Sequence, residues 1–322
     1  MEMNKIDVLS KLSSGMRDVL KVQNEISKNV FDTTNNSINQ LRENYNRERE
    51  FWNEGGPVMD RTVDMTVKGP HGEIPIRIYY PNDKSTNSGI IYIHGGGFVV
   101  GNLDTHSKIM RNLAYYSNCA IIGIDYKLSP EHKFPVAMEE CVEVALYFRK
   151  NGFSHGINGE KLAFAGDSAG ANLCLASALF LRDMYKDNSF IKGLLLYYGM
   201  FGLEDSKSHR LYGGPWDGLT KEDLLFYREQ YISNLKDSQS PYFNCLEADL
   251  THSIPPCYIV SAEFDPVIDD SQLLYEILKD KGNKVKYHMF EGLIHAFLHH
   301  SSMLDEAIDA IKEGAEFMNE NL

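Results

Sequence analysis

KLAFAGDSAG, residues 161–170, is the stretch on which the reading of this chain turns. Lys161 to Gly166 form a short apolar run of the kind that makes a buried strand, and a helical pattern begins at about residue 168. Between them lies Gly166-Asp167-Ser168-Ala169-Gly170, a G-x-S-x-G motif at a strand-to-helix turn. So sharp a turn leaves no room for side chains at 166 and 170, and it pushes the Ser168 hydroxyl out of the sheet end. Asp and Ser also cap helices routinely, so the pentapeptide needs support from elsewhere.

That support comes from His94-Gly95-Gly96-Gly97-Phe98, which directly follows another strand candidate, IIYIH at 90–94. Attack of a serine on an ester carbonyl creates an oxyanion, and residues without side chains let backbone N–H groups approach it closely. Gly95, Gly96 and the N–H of Ala169 are the expected donors, with His94 holding the loop in shape. Strand ends are also where open α/β sheets place their ligands.

Working outward, short β-branched runs alternate with helical patterns, which calls for parallel crossovers. Strands are expected at 61–68, 73–80, 90–94, 120–125, 161–166, 192–198, 257–262 and 284–290, the first two joined by a Gly-Pro-His-Gly turn. Helices are expected from about 104, 135 and 168, at 269–281 and at 301–320. Residues 1–53 read as two further helices, with Ile6, Leu9, Leu12, Met16 and Leu20 at helical spacing and a charged run, RENYNREREFW, that reads as a solvated face. Between the sixth and seventh strands lie 58 residues, with a helical stretch near 220–235. A connection of that length is usually functional, and with the N-terminal helices it could form a lid.

A serine nucleophile needs a base, and the base needs an orienting acid. His295, in the EGLIHAF loop after the last strand, is placed to reach back over the sheet end. His288 lies within that strand, and His299 and His300 fall further on, so these three read as structural or exposed. His295 and His299 form an H-x-x-x-H pair, but the glutamate of H-E-x-x-H is missing, and no metal site is expected. Asp265 follows the seventh strand, although Asp-Pro is also a good helix start. Asp269 and Asp270 are its rivals, further along the same helix. The order Ser168, Asp265, His295 after strands five, seven and eight is the one expected of an α/β-hydrolase.

The balance of 32 basic and 45 acidic residues, a net charge of −13, excludes a broad basic face for nucleic acid. No run approaches the roughly 18–20 apolar residues of a membrane span, and the N-terminus lacks the pattern of a signal peptide, so a cytoplasmic protein without a membrane partner is expected. The five cysteines, odd in number and widely spaced, read as buried free thiols. GGGFVVG after a strand suggests dinucleotide binding, but the fingerprint requires glycine where the chain has Val100.

HGGGF, DYKLSPEHKFP (125–135), GDSAG and EFDPVIDD together resemble the hormone-sensitive-lipase-like family of carboxylesterases. The resemblance extends over nearly the whole length, with no departure at a catalytic position. It implies an α/β-hydrolase fold with an eight-stranded, mostly parallel sheet flanked by helices. It also implies a helical cap built from residues 1–55 and an insertion at about 199–240, on a catalytic domain at 56–322. The implied activity is hydrolysis of short acyl esters, acetyl to butyryl, by Ser168, His295 and Asp265 through an acyl-enzyme, with a small-molecule substrate and no cofactor. The glycine loop becomes the oxyanion site. Amide hydrolysis uses the same constellation, and a hydrolase-fold pocket can also serve only to capture a ligand, so both remain open on the motifs alone.

Overall fold

In the computed structural model, residues 5–30, 37–84 and 87–322 are described. Residues 1–4 and 31–36 of the expected N-terminal helical segment, and residues 85–86, lie outside them. Eight strands form one sheet: β1 (Arg61–Gly69), β2 (Gly72–Tyr80), β3 (Asn87–Ile93), β4 (Ala120–Ile124), β5 (Ile157–Asp167), β6 (Ile191–Tyr197), β7 (Cys257–Ala262) and β8 (Val285–Phe290). Their order is β1-β2-β4-β3-β5-β6-β7-β8. β2 pairs antiparallel with both β1 and β4, and every other pairing is parallel. This is the mostly parallel α/β sheet expected from the alternation.

The central strands are apolar on both faces, as parallel strands covered by helices must be. Ile91 and Ile93 of β3, Phe164 of β5 and Leu194 and Leu196 of β6 pack on one side, beneath α4 (Val136–Asn151), α5 (Ala169–Met184) and α9 (Ile268–Asp280). Ile90 and Tyr92, Ala163 and Ala165, and Leu195 pack on the other, beneath α3 (Ser107–Ser117) and α10 (Asp305–Asn319). All five cysteines are buried free thiols. Among the described residues no helix is long and apolar enough to cross a membrane.

The N-terminal helices are α1 (Ser14–Val30) and α2 (Ile38–Asn53). The apolar spacing that began at Ile6 overran the first of these. The Ser13 hydroxyl accepts from the Met16 N–H and starts the helix there, while Ile6 donates its backbone N–H to Leu211 and Leu9 is exposed. The 58-residue connection carries α6 (Lys207–Leu211), α7 (Lys221–Tyr231) and α8 (Leu235–Ser238). α7 begins at a capping box in which Thr220 and Asp223 satisfy each other's N–H groups.

The charged run in α2 is not a solvated face throughout. Arg42 pairs with Glu131 and donates to the carbonyls of Val99 and Ser129, Glu48 and Arg49 are buried against each other, and Trp52 is fully enclosed. Long-range partners override the surface reading, because a buried charge is tolerated when paired.

Candidate active site

β5 ends at Asp167 and α5 begins at Ala169, so Ser168 alone makes the turn, with φ 53° and ψ −120°. A positive φ is costly for a residue with a Cβ and persists only where its surroundings fix it. Here the Ser168 N–H donates to the Tyr197 carbonyl at the end of β6, and the Ser168 carbonyl accepts from Ala171. The flanking glycines are required as the sequence suggested. A Cβ at 166 would lie 2.6 Å from the Gly170 carbonyl oxygen, and one at 170 would strike the Ile93 carbonyl.

The ends of β7 and β8 bring two more groups to this point. The loops after them are stitched together by Glu263 N–H to Phe290 O and Phe264 N–H to Leu293 O, both 3.0 Å. His295 Nε2 lies 2.9 Å from Ser168 Oγ, and His295 Nδ1 lies 2.7 Å from Asp265 Oδ2. The other Asp265 oxygen accepts from the Val267 N–H at 2.9 Å, so one carboxylate orients the ring and pins its own loop. α9 starts only at Ile268, so Asp265-Pro266 precedes the helix cap instead of forming it. Burial lowers the His295 pKa, but the Asp265 carboxylate outweighs it and leaves the imidazole above its ordinary 6.5.

The rival acids have other tasks. Asp270 Oδ1 accepts from the backbone N–H groups of Phe201, Gly202 and Leu203, and Asp269 accepts from that of Ser208; both hold the start of the long connection. His288 pairs with Glu313, and His299 and His300 are buried, not exposed.

The glycine loop lies where the sequence placed it, with one change of role. The Gly95 N–H, expected to face the oxyanion, donates to Asp167 Oδ1 at 3.1 Å. Gly96 and Gly97, with φ of 114° and 59°, line the pocket instead, and their N–H groups have no partner among the described residues. Ala169 opens α5, so its N–H has no acceptor within the helix. His94 is buried behind the loop. Its ring stacks on Tyr126 at 4.3 Å, its Nδ1 meets the Gly95 carbonyl at 2.8 Å, and burial pulls its pKa down to about 3, keeping it neutral.

Asp167 is the site residue that sequence reasoning missed. Its Oδ1 accepts from the Tyr92 hydroxyl at 2.8 Å and from Gly95, and its Oδ2 lies 3.5 Å from His106 Nε2. Burial alone would raise its carboxyl, but His106, Tyr92 and Gly95 together hold it below its ordinary value. Asp167 thus ties the glycine loop to the serine turn. Its position was the available signal, since a charged residue at the end of a buried strand needs partners. His106, Asp167 and His299 also bring three potential metal-ligand atoms within 4.8 Å of one another. The dismissed His295 and His299 pair separates into different tasks, with His295 on Ser168 and the His299 ring edge-on to His106 at 4.6 Å.

The pocket over Ser168 has a volume of about 100 Å³. Tyr45 and Arg49 of α2 and Asp217, Leu219, Leu224 and Tyr227 of the long connection wall it from outside the sheet.

Residues 90–299 match a family described as alpha/beta hydrolase fold. The chain is 46% identical to the acetyl esterase of Salmonella paratyphi A over 314 residues, 98% of this chain and 96% of that protein. The chain belongs to the hormone-sensitive-lipase-like family of alpha/beta hydrolases. Among solved structures of this alpha/beta hydrolase fold, an esterase from Pyrobaculum calidifontis superimposes with a TM-score of 0.88 at 31% identity, covering 96% of this chain and 98% of that one. A thermophilic carboxylesterase cloned from a metagenomic library gives 0.84 at 27% identity, covering 88% and 97%. Membership makes the protein a carboxylic ester hydrolase.

Proposed function

We propose that this carboxylic ester hydrolase cleaves short acyl esters, acetyl to butyryl, with Ser168 as nucleophile, His295 as general base and then acid, and Asp265 as the group that fixes the imidazole tautomer. The observation that carries the reading is the unbroken chain from Ser168 Oγ through His295 to Asp265, at 2.9 and 2.7 Å. Ser168 attacks the carbonyl as His295 takes its proton. The N–H groups of Gly96, Gly97 and Ala169 receive the oxyanion, each worth about 2.7–4 kcal/mol in the transition state. His295 then protonates the departing alcohol, and water attacks the acyl-enzyme by the same route in reverse.

Residues 1–55 and about 199–240 act as a cap on the catalytic domain at 56–322. Tyr45, Arg49 and Tyr227 come from these segments, and the cavity of about 100 Å³ that they close is small beside the roughly 300–1,000 Å³ of drug-sized sites. That size favours a short acyl group.

The test is hydrolysis of p-nitrophenyl esters from acetate to palmitate, beside Ser168→Ala. Turnover confined to acetate through butyrate and abolished in the variant is the expected result. Equal rates for palmitate and acetate would overturn the chain-length assignment, and undiminished turnover by Ser168→Ala would overturn the nucleophile.

A further inference from the structure

Asp217 stands at the edge of the pocket with half of its carboxylate unaccounted for. It belongs to Gly214-Pro215-Trp216-Asp217, a tight turn whose Asp217 N–H reaches back to the Gly214 carbonyl. Oδ1 is fully engaged, accepting from the backbone N–H groups of Gly214 at 3.0 Å and Leu219 at 3.1 Å, which fixes the side chain's direction. Oδ2 is shut off from solvent and has no hydrogen-bond partner among the described residues. A buried acceptor left unpaired is destabilising, so such an atom at a binding site marks a place where a ligand's donor completes the structure.

Its neighbourhood tells which part of the substrate that is. Asp217 lines the same pocket as Ser168 and His295, and its charge acts on the His295 imidazole. His295 must pass its proton to the leaving oxygen, so the first carbons of the alcohol lie beside His295 and therefore beside Asp217. Beyond them, a second cavity of about 520 Å³ shares Met200, Leu224 and Val267 with the catalytic pocket. Its walls carry charged groups, with Lys5, Glu204, His209, Lys221, Glu222 and Arg228 among them, set between apolar side chains such as Leu203 and Leu225. Space next to the nucleophile is scarce, whereas the neighbouring cavity is ample and offers charged groups as well as apolar surface.

We propose that Asp217 is a substrate-recognition residue that accepts a hydrogen bond from a second hydroxyl on the alcohol, so that the enzyme prefers short acyl esters of polyhydroxy alcohols to those of plain alkanols. The inference rests on the esterase reading above and specifies its alcohol side. Burial raises the Asp217 carboxyl to about 6, so at pH 8 it is a carboxylate that only accepts.

The experiment compares 2-hydroxyethyl acetate with propyl acetate at pH 8. The two have equal numbers of heavy atoms and differ in a hydroxyl against a methyl. In the wild type, the ratio of kcat/KM for the hydroxy ester over propyl acetate should exceed the ratio of their hydroxide-catalysed rates by roughly 10- to 100-fold, the strength of a hydrogen bond to a charged group. Asp217→Asn keeps an oxygen for Gly214 and Leu219 but replaces the unpaired Oδ2 acceptor with an amide NH₂, and should bring the ratio most of the way down. A wild-type ratio equal to that of the hydroxide reaction overturns the proposal, whatever the variant does. So does an elevated ratio that survives intact in Asp217→Asn. Failure of the wild type to hydrolyse either ester would remove the esterase reading with it, whereas Ser168-dependent hydrolysis with no preference removes only the role of Asp217.

Discussion

At the ends of β5, β7 and β8, Ser168, His295, Asp265 and Asp167 each have a partner at hydrogen-bonding distance, and the loops that carry them are stitched to one another. Across the pocket two side chains are bonded through only part of their polar groups. Asp217 Oδ2 and Arg49 Nε are buried without partners among the described residues. The difference separates two tasks. A group that moves protons has to be held in place before the substrate arrives, since reorganisation during the reaction raises the barrier. A group that recognises the substrate can leave a valence open, because the substrate fills it.

If the strand-end region is the preorganised one, its variants should show the largest losses. Ser168→Ala should lower kcat on p-nitrophenyl acetate by about 10⁶-fold, and Asp265→Asn by about 10⁴-fold with the fold intact by circular dichroism. A loss under about tenfold in either would break the division of labour. Gly95→Ala comes next. Its new Cβ would lie 2.5 Å from Asp167 Oδ2, displacing the loop whose N–H groups meet the oxyanion, and a fall in kcat of about 10²–10³ with little change in KM is expected.

The pH profile probes the same region without substitution. The proposed mechanism requires neutral His295 as the base, and Asp265 holds its pKa above 6.5. Activity should therefore fall as pH drops through a value above 6.5 and level off on the alkaline side. In Asp265→Asn the largest source of the upward shift is gone, so the residual activity should lose its acid limb at a lower pH. An acid limb in the wild type near 4 would point to a carboxylate instead.

The smallest effects belong to the cap side. Tyr227→Ala should relax chain-length selectivity, raising kcat/KM for hexanoate relative to acetate by about 10-fold, the scale of one methylene in an apolar site. Gly97 and Tyr227 also connect the two regions, for a Cβ at 97 would run into the Tyr227 ring. Gly97→Ala should therefore be more damaging in the wild type than in Tyr227→Ala, and identical effects in both backgrounds would separate the two walls.

The same contrast explains what was legible in the sequence. The sheet, the serine turn and the positions of His295 and Asp265 follow from local patterns, because a strand end, a glycine turn and a loop are each written in a few consecutive residues. Arg49, Tyr45 and Asp217 reach the pocket only because distant segments pack over the sheet end, and nothing in RENYNREREFW or PWDGLT marks which side chain turns inward. The engagement of the Gly95 N–H is hidden from the sequence for a related reason. Its N–H faces Asp167, 72 residues away, and only the folded chain reveals that this donor is already engaged.

The most direct test of the account is covalent trapping. The wild type is incubated with a fluorophosphonate, digested and sequenced by mass spectrometry. One adduct on Ser168, absent from Ser168→Ala and forming far more slowly in His295→Ala, is the predicted result. An adduct on any other residue, or labelling that persists in Ser168→Ala, would contradict it.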